Sequence, residues 1–84
     1  MEWNMKRIEA LRIRAGRLKG YVDVDGRPKA MFQEDFAREI GTRVGTVQRW
    51  LKGRQVPNPM ACRLLTDYES KLDAVDEDVD APVV

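Results

Sequence analysis

Apolar residues recur at helical spacing along four parts of the chain, with glycine and proline between them. From Glu2 to about Leu18, Met5, Ile8, Leu11 and Ala15 lie three or four apart. That spacing places them on one face of a first helix, with Lys6, Arg7, Arg12 and Arg14 pointing elsewhere. Trp3 reads as a core or interface residue, and either Gly16 or Gly20 ends the helix. A second helix begins near Gln33, where Phe36, Ala37 and Ile40 share a stripe. Gly41 supplies the left-handed stop that a residue with a Cβ adopts only at a cost. In a third helix Val47, Trp50 and Leu51 form a narrow apolar stripe. At about 100° per residue, Gly45, Gln48, Arg49 and Lys52 fall on the opposite side, with Thr46 at the edge. Asn58 caps a fourth helix and Pro59 opens it, with Leu64, Leu65, Tyr68 and Leu72 on its buried face.

The segments between helices carry their own signals. Residues 17–31 are a long insertion, in which Tyr21-Val22-Asp23-Val24 alternates apolar and polar and Asp25-Gly26 is a favoured tight-turn pair. Arg27-Pro28-Lys29-Ala30 returns antiparallel if the segment is a short β-hairpin, with Pro28 keeping it at an edge; a solvated loop is the alternative. Glu34 and Asp35 suit the positive end of the second helix, although Met31 and Phe32 offer it no cap. Arg43 stands at the N-cap of the third helix and cannot cap, so Thr42 or solvent substitutes. Residues 73–84 hold five acids and no base, which together with their brevity predicts an acidic disordered tail.

Composition narrows the function classes. Eighty-four residues make one small domain, which buries only roughly 60% of its unfolded surface and gains from a second copy. The net charge of +1 hides an asymmetry: all fifteen basic residues but only nine of the fourteen acidic ones fall in 1–72, which carries +6. A basic body with an acidic tail suits a nucleic-acid binder. One cysteine, Cys62, allows no internal disulfide and reads as an inert small hydrophobe, and the absence of histidine removes Cys/His metal clusters. No phosphate loop, nucleophile–histidine pair or metal spacing occurs, so neither enzymatic activity nor a cofactor is expected. No stretch has a signal-peptide core or membrane-spanning length, which gives the expectation of a cytoplasmic, nucleoid-associated protein.

Between Phe32 and Arg54, the pairs Gln33-Glu34, Phe36-Ala37, Ile40-Gly41, Thr46-Val47 and Arg49-Trp50, with Gly53, stand at fixed spacing. Downstream come Pro57, Pro59 and Leu64-Leu65. This pattern resembles the helix-turn-helix of the lambda-repressor-like (Xre/Cro) regulators of bacteria, phages and plasmids. It covers about half of the chain well and the first helix weakly. The resemblance implies a mainly all-α, compact four- to five-helix domain over 1–72, with its helix-turn-helix at 33–52. The 17–31 insertion departs from it.

The resemblance also implies the DNA contacts. Gln33 matches a residue that hydrogen-bonds a phosphate. Val44, Gly45 and Arg49 match base-reading positions, with Thr42, Arg43, Thr46 and Gln48 close by. Arg49 has the planar fork that fits the O6/N7 pair of guanine, or it grips a phosphate instead. Val44 suits a thymine methyl, and Gly45 departs from the larger polar side chains common there. Lys52, Gly53 and Arg54 follow where the backbone is touched. Leu51 replaces a frequent glutamate, which suggests burial near the fourth helix or at a dimer surface. Together these imply a homodimeric repressor whose recognition helices, about 34 Å apart, read a near-palindromic double-stranded operator. The alternative is an antitoxin-like or adaptor protein that binds a protein partner through 73–84 or 17–31.

Overall fold

Asn4 sets where the first helix begins. Its backbone is extended and its side chain accepts the Arg7 N–H at 2.8 Å, satisfying one of the donors that a helix start leaves open. The helix α1 therefore runs Met5–Lys19, starting later than the periodicity suggested. The computed structural model describes residues 3–80, with side chains as far as Val75. Three more helices follow: α2 (Gln33–Ile40), α3 (Val44–Leu51) and α4 (Pro59–Asp80). Among the described residues there is no strand, and no helix is long and apolar enough to cross a membrane.

Of the two stops the sequence offered for α1, Gly20 is the one used, in the left-handed conformation at φ 83°. Gly16 lies inside the helix and has another job. The chain returning from the loop, Lys29–Met31, crosses α1 at this point so closely that any Cβ there would meet backbone atoms. The crossing is tied by Met31 N–H donating to the Arg12 carbonyl at 3.1 Å. In return, Arg12 Nη1 donates to the Met31 carbonyl at 2.7 Å. Met31 itself is buried.

The insertion is correspondingly shorter than 17–31, because α1 absorbs residues 17–19. Asp23 builds its turn: its carbonyl accepts Gly26 N–H, and its carboxylate accepts the N–H groups of Asp25 and Arg27 at 2.9 and 3.1 Å. Val22 and Pro28 then form one antiparallel bridge. The bridge is flanked by Asp23 N–H donating to the Arg27 carbonyl at 2.9 Å and Lys29 N–H donating to the Tyr21 carbonyl at 3.0 Å, so Pro28, which has no N–H, faces the outer edge. The base of the loop docks on α2, with Tyr21 Oη donating to Asp35 at 2.5 Å and its ring edge-on to Phe32. That hydrogen bond raises the Tyr21 phenol above its ordinary pKa, with burial and the Asp35 charge adding to it.

One core joins all four helices. Ile8, Leu11 and Ala15 of α1 meet Phe36, Ala37 and Ile40 of α2, Val47 and Trp50 of α3, and Leu65, Tyr68 and Leu72 of α4. Full burial of a side chain such as Phe36 stabilises by about 1.5–3 kcal/mol. Trp3 belongs to this core: its Nε1 donates to Thr66 Oγ1 at 3.0 Å, and the Arg7 guanidinium lies 3.7 Å above its ring. Tyr68 Oη donates to Glu39, which also pairs with Lys19 at 3.3 Å, so α1, α2 and α4 share one polar link. Burial, and then the Glu39 charge, push the Tyr68 phenol well above its usual pKa.

The acidic segment departs from the expected disordered tail. Helix α4 continues through residue 80. No glycine or proline interrupts residues 60–81, Leu72 is buried, and Asp73 pairs with Arg14 of α1. Composition alone suggested disorder, but a helix already anchored at Leu72 propagates at little cost. The remainder of that expectation, 81–84, lies outside the described residues.

Candidate nucleic-acid interface

Two short helices and the Gly41 turn build this surface. Gly41 has φ 92°, and both its N–H and that of Thr42 donate to the Ala37 carbonyl, at 3.0 and 2.8 Å. The chain thus leaves α2 and starts α3 within three residues. Arg43 precedes α3 in an extended conformation, and no side chain caps the helix, Thr42 included. The Arg43 carbonyl accepts Thr46 and Val47 N–H instead, at 3.0 and 3.2 Å.

Which side of α3 is outward follows from its stripe. Val47 and Trp50 are buried, whereas Arg43, Val44, Gln48, Arg49, Lys52 and Arg54 are exposed. Thr42, Gly45 and Thr46 are half-buried along the same segment. The candidate residues from Thr42 to Arg54 are therefore gathered on α3 and its two ends. Gln33 stands apart at the start of α2, a helix length of about 12 Å from the turn. A Cβ at Gly45 would meet nothing within 4 Å, so this position is open space. Leu51 is half-buried and shares a groove with Met5, Ala10 and Ile13 of α1, a neighbour its sequence position did not indicate.

Charge follows this division only in part, since Lys6 and Arg17 of α1, Arg27 and Lys29 of the loop and Arg63 and Lys71 of α4 also form no ion pair among the described residues. On α1 and α2, Arg7, Arg12, Arg14, Lys19 and Arg38 pair with carboxylates. Arg43, Arg49, Lys52 and Arg54 form no ion pair among the described residues. The reason is written in the chain, which has no acidic residue between Glu39 and Asp67. These four cations keep their charge available to an anionic partner.

Gln55 is a neighbour of Arg49 that the sequence reading missed. Its Oε1 accepts Arg49 Nε at 3.0 Å. The chain folds back over the end of α3, with Gly53 N–H donating to the Trp50 carbonyl and Arg54 N–H to the Arg49 carbonyl, at 3.1 and 2.9 Å. That reversal returns Gln55 to a residue six positions earlier. Helical periodicity carries no signal for it, and only Gly53, at φ 72°, marks the reversal. Held through Nε, the guanidinium keeps its terminal nitrogens for a ligand. Among the described residues there is no cluster of metal-ligating side chains.

No family model matches this chain, and searches of curated proteins and of solved structures return no match.

Proposed function

We propose that this chain is a sequence-specific double-stranded DNA-binding transcriptional regulator, acting as a homodimeric repressor with α3 in the major groove. The observation that carries the reading is the outward face of α3. Gln48, Arg49 and Lys52 are exposed there, Arg43 and Arg54 flank them, and Val47 and Trp50 anchor the opposite side in the core. A helix about 10–12 Å across with such a face fits the width of the B-form major groove. Unpaired cations supply affinity through phosphates, and the fork of Arg49, steadied by Gln55, supplies discrimination at a guanine. Val44, 36% exposed at the start of α3, supports the reading as the apolar side chain that would meet a thymine methyl.

The experiment is selection of bound fragments from random duplexes, followed by substitution on the selected site. A near-palindromic motif is expected, with half-sites about one helical turn apart. Arg49→Ala should cost about 1–3 kcal/mol on that site and relax one base pair, and Lys52→Ala should weaken all sequences alike. If selection enriches nothing at low salt, or Arg49→Ala binds selected and random duplexes as the wild type does, the reading fails.

A further inference from the structure

Among the described residues, helix α1 carries apolar side chains on two sides, and only one side is covered. Ile8, Leu11 and Ala15 enter the core. Met5, grouped with them by its spacing in the sequence, is instead 48% exposed, and Ile13 is 49% exposed. With Glu9 midway between them, one helical turn from each, these two form a second stripe along the outside of the helix. Leu51 at the end of α3 borders the stripe, and Lys6, Glu9 and Ala10 complete an open groove of about 420 Å3. A surface helix of a single domain ordinarily keeps one apolar face. Large apolar side chains gathered on a second face mark an interaction surface, unlike apolar residues exposed singly.

We propose that a second copy of the chain occupies this groove, packing α1 against α1 in antiparallel fashion about a two-fold axis. Charge selects this occupant. The groove holds one cation and one carboxylate, Lys6 and Glu9, a helical turn apart. Lys6 forms no ion pair among the described residues. Glu9 accepts from Arg12 at 2.7 and 3.2 Å, and a carboxylate keeps lone pairs for a further donor. In an isologous contact, any residue that meets a second one is met by it in return. The two-fold therefore brings the Lys6 of each copy to the Glu9 of the other, making two ion pairs. Met5, Ile13 and Leu51 cover one another beside them, and the small Ala10 lets the helices approach. An unrelated partner would have to reproduce both charges, whereas a second copy has them by symmetry. This interface rests on the homodimer of the reading above and locates it. Arg49 lies about 160° around α3 from Leu51, so the DNA-reading side stays clear. A groove about 12 Å long from Met5 to Ile13 buries less than the roughly 800 Å2 per partner of tight complexes, so a reversible dimer is expected.

Sedimentation equilibrium of the full chain without DNA is the test, with far-ultraviolet circular dichroism confirming that each variant is folded. A reversible monomer–dimer equilibrium in the micromolar range is expected. Ile13→Glu, a change at a half-exposed residue, should raise the dissociation constant about tenfold or more. Val24→Glu alters the net charge equally at an exposed apolar residue of the loop, and should leave association unchanged. Lys6→Glu makes the groove wholly acidic and Glu9→Lys makes it wholly basic, so each variant alone should stay monomeric. Mixed in equal amounts, the two should pair, because both ion pairs are then rebuilt with their signs exchanged. A chain that stays monomeric at millimolar concentration overturns the proposal. So does a dimer untouched by Ile13→Glu, one weakened as much by Val24→Glu, or a mixture of the charge variants that fails to pair. A monomer that still selects a single half-site from random duplexes would overturn this interface while leaving the role of α3 intact.

Discussion

Gly16→Ala separates two physical effects of opposite sign. Gly16 sits inside α1, where replacing glycine by alanine ordinarily stabilises by about 1 kcal/mol through helix propensity. Here the new methyl would overlap the Lys29 carbonyl oxygen and stand 2.5 Å from the Met31 nitrogen and 2.6 Å from the Ala30 carbonyl carbon. These are backbone atoms, which cannot rotate away as a side chain would. Overpacking of this kind costs about 1–3 kcal/mol. Pushing the crossing chain outward also stretches the Arg12–Met31 hydrogen bond at 2.7 Å, a charged donor worth about 1.5–3 kcal/mol. After the propensity gain is offset, the net loss is about 1.5–5 kcal/mol. For a chain of this size that lowers the thermal midpoint by roughly 6–40 °C. Melting followed by far-ultraviolet circular dichroism measures it, with urea unfolding as an independent check. Gly45→Ala is the control: its Cβ points into open space within α3, so it should gain up to about 1 kcal/mol. A Gly16→Ala protein that melts at or above the wild type would refute the close crossing.

Other substitutions test separate contacts. Thr66→Val keeps shape but leaves the buried Trp3 Nε1–H without its acceptor, and should destabilise by about 1–3 kcal/mol in urea. Asn58→Ala removes the cap from α4 and should cost about 1 kcal/mol; an unchanged midpoint would show that the Asn58–Ala61 bond contributes nothing. The Tyr68 phenol is raised above its ordinary value of 10.0, so the folded state holds this proton more tightly than the unfolded chain does. The resulting stability is complete below pH 10 and is lost as pH rises above it. Tyr68→Phe should therefore flatten the alkaline limb of a stability–pH curve, and an equally steep limb in the variant would assign the effect elsewhere.

Local sequence made some of these features legible and hid others for identifiable reasons. The stripes of α2 and α3, the Gly41 stop and the Asn58-Pro59 opening of α4 are all written within one or two helical turns, and the structure holds them as read. The outward placement of Gln48, Arg49 and Lys52 follows from the same periodicity. Gly16 misled, because a glycine within a helical pattern looks the same whether it ends the helix or admits a crossing chain fifteen residues away. Gln55 and Met31 were missed for a related reason: their partners, Arg49 and Arg12, are brought to them by chain reversals that have no period. The acidic segment shows the limit of composition, since Leu72 and Asp73 are fixed by α1 rather than by their own neighbours in sequence.

The insertion has a practical corollary. Its base is fastened at Tyr21 and Met31, whereas Val24 at its apex is fully exposed. Lengthening such a span is inexpensive, at about 0.6 kcal/mol for each doubling. A dye, an epitope or a short tether grafted between Val24 and Gly26 should thus report on the folded protein without loosening it.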